Sequence, residues 1–235
     1  MRNLVEDRSL HNRESVFEDR RDAGARLAHL LSPLRGSDAI VFAIPSGGVP
    51  VAVEIHKVHG FPFDLLVVRK VQIPWSTEAG FGAVNLDGEV ILNEDLVDSL
   101  GMPQEAVEAQ IEKTREILRK RDGLFRKGRP FPAIEKKTAI LVDDGLASGY
   151  SMMAAIRFVR KRNPFQVVVA VPTGSSGALA RVSPLVDVLY CLNVREGYPY
   201  AVADAYRDWY DLSDEEVVKL LEEADKAEKG DHQEA

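Results

Sequence analysis

Short, mainly apolar runs recur along the chain, separated by segments whose apolar residues follow a helical spacing. The apolar runs predict strands that are buried on both faces, because they show little alternation with polar residues. They cover residues 39–44, 63–68, 138–142, 166–171 and 186–192. The helical segments cover residues 16–31, 49–59, 103–125, 151–162 and 177–181. Strands that alternate with helices predict an α/β fold, in which a mostly parallel twisted sheet carries helices on both faces.

Turn and capping residues refine this organisation. Asp87-Gly88 predicts a β-hairpin over Gly82–Leu92, because this dipeptide tolerates the positive φ angles of a tight turn. A last helix begins at Ser213, where Glu216 completes the spacing of a capping box. No repeat or linker divides the chain, so we expect a single domain over residues 1–235. Residues 1–35, with the first helix, and residues 193–235, with an acidic C-terminal helix, are its appendages.

The composition is that of a globular protein, with 235 residues of which 45% are hydrophobic and 29% charged. No apolar run approaches the roughly 18 residues that a membrane helix needs. The charged segment 1–15 lacks the apolar stretch of a signal peptide. The single cysteine, Cys191, excludes an intrachain disulfide, and we interpret it as a small buried side chain. These features predict a cytoplasmic protein without a membrane partner.

The formal net charge of −7 is concentrated in the last helix, and the chain before Asp211 is close to neutral. A basic stretch, Lys113–Arg129, would attract phosphates or nucleic acid if its charges formed one surface. It has no interleaved aromatic residues and no nucleic-acid motif. We therefore favour the solvated face of an amphipathic helix, and we do not expect a nucleic-acid partner.

The stretch Thr138–Ser151 carries the most specific chemistry. Its apolar strand ends in two adjacent carboxylates, Asp143 and Asp144, and ligands of open α/β sheets bind where strands end. A loop of small residues then turns into a helix, whose first N–H groups suit a phosphate. Carboxylates accept hydrogen bonds from sugar hydroxyls or carry a hydrated Mg²⁺. The stretch predicts a sugar-phosphate site, and a solvated strand end with a capping role is the alternative.

These residues resemble the 5-phosphoribosyl-1-pyrophosphate (PRPP) motif of type I phosphoribosyltransferases, in which an apolar strand leads to two acids and a Thr-Gly-x-Thr-like turn. Serine takes both threonine places here, at Ser148 and Ser151. The group that the chain resembles is a less characterised phosphoribosyltransferase-like branch. The resemblance extends over most of the chain. The segments that carry it are residues 17–24, 44–50, 68–70, 82–84, 92–95 and 214–217. It implies the type I phosphoribosyltransferase fold, with a small hood over residues 193–211.

The resemblance implies a transferase that moves the 5-phosphoribosyl group from PRPP to a nitrogenous acceptor, such as a nucleobase, and releases pyrophosphate. In such enzymes the two acids hold the ribose hydroxyls through an oxocarbenium-like transition state. It therefore implies catalytic roles for Asp143 and Asp144, which would also carry Mg²⁺ through water or PRPP. The turn that would bind the 5′-phosphate comprises Ala147, Ser148, Gly149, Tyr150 and Ser151.

A second glycine loop, Pro45–Gly48, follows the first long strand, where the family binds pyrophosphate. Gly47 and Gly48 would let backbone N–H groups approach phosphate oxygens, and a simple turn is the alternative. Ser46, the third candidate for substrate binding here, stands where this branch usually carries an arginine. The loop therefore lacks a cation that the resemblance would lead us to expect.

Arg69 and Lys70 follow the second strand and precede a polar stretch, Gln72–Gly82, which we interpret as a mobile loop. Their position would let them neutralise the departing pyrophosphate while the loop excludes water, so we add them to the catalytic candidates. A pair of solvated charges is the alternative. Within the loop, Trp75 and Glu78 are candidates for contacts in a closed state.

Aromatic residues are concentrated in the predicted hood, where they would either stack on the acceptor base or pack the hood onto the sheet. They are Tyr198, Tyr200, Tyr206, Trp209 and Tyr210. No pattern among them selects a purine, a pyrimidine or another nitrogenous acceptor. The oligomeric state is equally open, and a homodimer is one alternative.

Two other functions compete with the transferase. A non-catalytic regulatory protein that binds PRPP or a nucleotide would use the same fold, and Ser46 favours it. A phosphate-ester hydrolase would use Asp143 and Asp144 with Mg²⁺, but the sequence shows no second carboxylate cluster for a metal-rich site.

Overall fold

A six-stranded sheet in which every neighbouring pair is parallel forms the centre of the computed structural model, which describes residues 1–76, 79–197 and 199–231. Its strand order is β1-β9-β8-β7-β2-β3. The strands are β1 (Leu4–Glu6), β2 (Ala39–Ala43), β3 (Phe63–Leu65), β7 (Thr138–Val142), β8 (Gln166–Ser175) and β9 (Val188–Arg195). A separate antiparallel sheet holds β4 (Arg69–Gln72), β5 (Gly80–Val84) and β6 (Val90–Leu92). The prediction of a mostly parallel sheet is confirmed.

Helices cover both faces of the parallel sheet. They are α1 (Arg20–Leu30), α2 (Gly48–His59), α3 (Glu94–Ser99), α4 (Gln104–Arg126), α5 (Tyr150–Arg160), α6 (Ser176–Val182) and α7 (Asp214–Asp231). One apolar core joins α1, α2 and α7 to one face, and a second joins α5 and α6 to the other. Because both faces are covered, every residue of β2 and β7 is buried. The antiparallel sheet packs on α3 and α4 through a third apolar cluster.

The central strands β2 and β7 run side by side in register, with Ala39 opposite Thr138 and Ala43 opposite Val142. The Ile44 N–H continues the pairing and donates to the Val142 carbonyl over 2.8 Å. Both strands therefore end at the same level. The loops that follow them, residues 45–47 and 143–149, leave the sheet next to each other.

The capping box predicted for the last helix is confirmed. The Ser213 N–H donates to the Glu216 carboxylate over 2.8 Å, and the Glu216 N–H donates to the Ser213 hydroxyl over 3.2 Å. This reciprocal pair fixes the start of α7. The first turn of α7 lines the same cavity as the loop that follows β2.

Two strands depart from the sequence prediction. β1 adds an edge strand to the parallel sheet, and β4 places Arg69 and Lys70 in the antiparallel sheet. Gln72 pairs with Gly80, so the segment interpreted as a mobile loop is shorter than predicted, and its mobility stays a prediction. None of the helices in the described part of the chain combines the length and the hydrophobicity of a membrane-spanning segment.

Candidate functional site

The two adjacent carboxylates lie directly after β7, where the sequence places them. The Asp143 carboxylate accepts a hydrogen bond from the Asp144 backbone N–H over 2.9 Å. The Asp144 carboxylate accepts one from Arg20 Nε over 2.8 Å, in an ion pair whose side chains are 14% and 8% exposed. Of the two acids, Asp144 is therefore the one that forms an ion pair with Arg20.

Arg20 is fixed by the hood that the resemblance predicts. Its Nη1 donates to the Tyr210 carbonyl over 2.9 Å, and its guanidinium lies 3.8 Å from the ring centroid of Trp209. The Tyr206 hydroxyl donates to the Asp144 carbonyl over 2.6 Å. The hood thus packs on the acidic loop, and a residue that sequence reasoning missed, Arg20, joins the two.

Burial dominates the electrostatics of the acid pair. It raises the pKa of Asp143 well above the ordinary value of 3.8, and the negative charge of Asp144 raises it further. Burial also raises the pKa of Asp144, while the Arg20 guanidinium opposes that shift. A ligand that brings hydroxyl donors or positive charge to this pair would favour its ionised form.

The turn between β7 and α5 has the properties of an anion cradle. Gly149 precedes the first residue of α5 with a φ of +83°, a conformation that favours glycine. The Ala147 carbonyl accepts from the Ser175 hydroxyl over 2.8 Å, and the Ser148 carbonyl accepts from Arg181 over 2.6 Å. Within the described residues, the backbone N–H groups of residues 147–151 donate no hydrogen bond. They are consequently available to an acceptor such as phosphate.

Close packing against the acids explains the glycines of the loop after β2. A Cβ at Gly47 would lie 1.9 Å from Asp144 Oδ2, and a Cβ at Gly48 would lie 2.5 Å from the Val142 carbonyl oxygen. Gly47 has an ordinary helical φ of −63°, so its lack of a side chain serves this approach rather than a turn. The Pro45–Ser46 peptide bond is cis.

An arginine that the sequence did not single out lies against this loop. Arg121, on α4, donates from Nη2 to the Ser46 hydroxyl over 2.8 Å. Its Nε and Nη2 also donate to Asp214 Oδ1 over 3.1 Å and 2.7 Å. Burial, and then the nearby Arg121 guanidinium, lower the pKa of Arg69, while Asp214 opposes that shift. The side chains of Arg121 and Arg69 thus both lie near the Asp214 carboxylate, beside Ser46.

Two adjoining cavities bring most of the predicted residues together. The larger, of about 1010 Å³, is lined by both loops, the cations and the hood, including Ser46, Gly47, Arg69, Lys70, Asp144, Ala147, Tyr200 and Trp209. The smaller, of about 280 Å³, is lined by Asp143, Ser151, Pro45, Arg69, Lys70 and Arg121 among others. Four predicted residues line neither cavity: Ser148 and Gly149 lie in the loop after β7, and Gly48 and Tyr150 are the first residues of α2 and α5.

The other loop and hood candidates are distributed differently. Trp75, which is 68% exposed, lines a separate cavity of about 540 Å³ beside Gln110 and Lys113. Tyr206 is buried against Phe17 and Trp209, so it packs the hood onto the sheet rather than facing a ligand. Glu78 and Tyr198 lie outside the described residues.

The acid pair fits a cation that keeps much of its own hydration. Among the described residues, no group of three or more His, Cys, Asp or Glu side chains could form a protein cage for a metal. Mg²⁺ commonly binds through one or two carboxylates together with water and substrate phosphates. Asp143 and Asp144 satisfy that requirement, although the pairing of Asp144 with Arg20 leaves Asp143 as the less neutralised acid.

Comparisons with known proteins identify the family of this chain. The family model of the phosphoribosyl transferase domain matches residues 17–193. Two curated relatives from Mycobacterium tuberculosis, strains CDC 1551 / Oshkosh and ATCC 25618 / H37Rv, are provisionally named phosphoribosyl transferases. Each is 39% identical over 217 residues, which is 92% of this chain and 49% of the relative. The chain therefore spans about half the length of the curated relatives it matches.

A solved structure covers nearly the same extent as this chain. The crystal structure of TT1426 from Thermus thermophilus is 38% identical and superposes with a TM-score of 0.70. The match covers 88% of this chain and 98% of that one. With the family model matching most of the sequence, from Phe17 to Asn193, this chain belongs to the phosphoribosyltransferase family.

Proposed function

We propose that this protein transfers the 5-phosphoribosyl group of PRPP to a nitrogenous acceptor and releases pyrophosphate. The observation that carries the proposal is the order of the groups around the two cavities. The acid pair is followed by a turn whose backbone N–H groups donate no hydrogen bond within the described residues, and it lines the two cavities together with a cluster of cations. PRPP has a matching order, with a phosphate on C5, hydroxyls on C2 and C3, and pyrophosphate on C1.

Each part of the site would act on one part of this substrate. The turn of residues 147–151 would bind the 5′-phosphate through backbone N–H groups and the Ser148 and Ser151 hydroxyls. Asp143 and Asp144 would accept hydrogen bonds from the ribose hydroxyls. Arg69 and Lys70 would face the pyrophosphate across the cavity that they line.

The transfer would proceed by displacement at C1. The acceptor nitrogen forms a bond to C1 while the C1–O bond breaks, and that bond's electron pair leaves with pyrophosphate. The acceptor then loses its proton to solvent. Positive charge that develops on the ribose is stabilised by the fixed carboxylates, and the charge of the leaving group is stabilised by the cations. No nucleophilic side chain is required, because the protein acts by positioning and electrostatics.

Asp143 and Asp144 would hold Mg²⁺ through water or through oxygens of the substrate. When bound, the ion would supply positive charge that offsets the charge of the pyrophosphate. Of the two acids, Asp143 is the better candidate, because the Asp144 carboxylate already pairs with Arg20.

A non-catalytic regulatory protein that binds PRPP or a nucleotide is the second candidate. Two observations favour it: Ser46 supplies no charge to the loop after β2, and Arg20 neutralises one of the two acids. Such a protein would bind PRPP without releasing pyrophosphate in the presence of any acceptor.

Incubation with PRPP, Mg²⁺ and a panel of purine, pyrimidine and other nitrogenous acceptors, while pyrophosphate release is followed, tests the proposal. The parent should release pyrophosphate with at least one acceptor. The double variant Asp143→Asn, Asp144→Asn should not, because neutral amides replace both carboxylates. The control is Asp95→Asn, Asp98→Asn, which makes the same charge change at two exposed positions of α3. Release by the acid double variant at the parent rate would contradict the site assignment.

A further inference from the structure

Arg121 is a largely buried cation on α4, and the two cations that directly precede it on the helix are exposed. Its side chain is 12% exposed, whereas Arg119 and Lys120 face solvent. A buried guanidinium is costly unless it is paired, and this one lies beside further positive charge from Arg69. Arg126, the other buried arginine of α4, lines neither of the two adjoining cavities, whereas Arg121 lines both. The position of Arg121 therefore suggests that its guanidinium binds a ligand.

The surroundings of Arg121 fit an anion. It contacts the Ser46 hydroxyl, at the loop after β2, and it lines the smaller cavity together with Asp143 and Ser151. It also lines the larger cavity, so the two cavities share this residue.

Asp214 forms a hydrogen-bonded ion pair with the Arg121 guanidinium in this structure. Both Nε and Nη2 donate to its Oδ1, and among the described residues it is the carboxylate that hydrogen-bonds to Arg121. The Asp214 side chain is 37% exposed, so its carboxylate can turn away from Arg121 and be hydrated by solvent. Arg121 would keep its place, because its guanidinium also lies 5.0 Å from the ring centroid of the buried Phe125.

We propose that Arg121 binds the pyrophosphate group of the substrate beside Ser46, and that Asp214 is a built-in counter-ion which the pyrophosphate displaces. Arg121 thereby supplies, from α4, the cation that the loop after β2 lacks at Ser46. The start of α7, where Asp214 lies, then changes its contacts when the site is filled. This inference rests on the proposed function.

Calorimetric titration with inorganic pyrophosphate in the presence of Mg²⁺ tests the proposal, with PRPP and ribose 5-phosphate as further ligands. Arg121→Ala should weaken pyrophosphate binding by about ten- to a hundredfold, the range for a lost charge-assisted hydrogen bond. It should leave ribose 5-phosphate binding unchanged, because that ligand lacks the pyrophosphate. Arg119→Ala, which removes an exposed arginine from the same helix, is the matched control and should bind as the parent does.

Asp214→Asn should act in the opposite direction. The amide keeps an oxygen that accepts from Arg121 but removes the competing charge, so pyrophosphate should bind about three- to tenfold more tightly. A merely structural pair would instead weaken binding when either partner is changed. The sign of the Asp214→Asn effect therefore distinguishes a displaced counter-ion from a scaffold, even if Arg121→Ala fails to fold.

Each other outcome overturns a definite statement. If the parent binds pyrophosphate and Arg121→Ala binds it equally well, the role of Arg121 is refuted while the proposed function stands. If Asp214→Asn weakens binding, the counter-ion is refuted. If the parent binds neither PRPP nor pyrophosphate, the proposed function fails, and this inference fails with it.

Discussion

Gly47 lets the loop after β2 touch the acidic loop, and Gly47→Ala tests how tightly that contact is built. The added Cβ would lie 1.9 Å from Asp144 Oδ2 and 2.3 Å from its Cγ. An ordinary carbon contact needs about 3.5 Å, so the carboxylate must move by roughly 1.5 Å. The hydrogen bond from Arg20 Nε is 2.8 Å long and would not survive such a displacement.

The expected loss of stability follows from that broken pair. Disrupting a buried ion pair costs about 3–5 kcal/mol, and overpacking a close contact costs about 1–3 kcal/mol. Partial relaxation places the loss in the free energy of unfolding at about 3 kcal/mol. For a chain of about this size, 1 kcal/mol shifts the melting temperature by about 2–4 °C. Gly47→Ala should therefore melt about 6–12 °C below the parent.

Thermal unfolding followed by circular dichroism measures the effect, and a double-mutant cycle assigns its cause. In an Asp144→Ala background the obstacle is gone, so Gly47→Ala should cost about 1 kcal/mol or less. The matched control is Gly177→Ala in α6, where a Cβ meets no atom within 4 Å. That change should leave stability unchanged or raise it by up to about 1 kcal/mol.

Two results would refute this reasoning about Gly47. One is a melting temperature for Gly47→Ala within about 2 °C of that of the parent. The other is an equal loss in the presence and absence of the Asp144 carboxylate, which would show that the contact with that side chain is not the cause.

Three further changes test other parts of the structure. Asp143→Asn should raise the melting temperature by a few degrees at pH 8. Burial raises the pKa of Asp143 in the folded chain above the ordinary 3.8, so the parent loses stability relative to its unfolded state as the pH rises. The stability advantage of Asp143→Asn should therefore vanish towards pH 4, and a difference in melting temperature that does not change with pH would contradict this explanation. Arg20→Met should cost about 3 kcal/mol at pH 8 and less at pH 5, because protonation relieves the unpaired Asp144; equal losses at both pH values would contradict this. Native Cys191 should resist iodoacetamide, as judged by mass spectrometry, because it is buried and burial raises its thiol pKa; rapid labelling before unfolding would show otherwise.

The parallel sheet was predictable because its central strands are buried on both faces and therefore read as apolar runs. β1 gave no such signal. It has three residues among charged neighbours, and it is held by pairing with β9 and by the Asn3 side chain, which donates to the Ser183 and Val186 carbonyls. These partners lie about 180 residues away, beyond the range of a local pattern.

The acids and both glycine loops were predictable for a similar reason, since each is a compact local motif. Arg20 and Arg121 reach the site from helices, 124 residues from Asp144 and 75 residues from Ser46. A single arginine in a charged helix carries no periodic signal, and the stretch Lys113–Arg129 was interpreted as solvated. That interpretation is wrong for Arg121 and also for Arg126, which is 2% exposed and pairs with Asp64. Tertiary packing alone distinguishes these arginines from their exposed neighbours.

The contacts among Gly47, Asp144 and Arg20 constrain the order in which these positions can diverge. A change at Gly47 first would push on the carboxylate, and a change at Arg20 first would leave it buried without its cation. A change at Asp144 first removes the obstacle to a side chain at position 47 and the partner that retains arginine at position 20. Substitution of Asp144 is therefore the change after which positions 20 and 47 can be substituted without these costs. A descendant that keeps both Gly47 and Arg20 should still keep the acid between them.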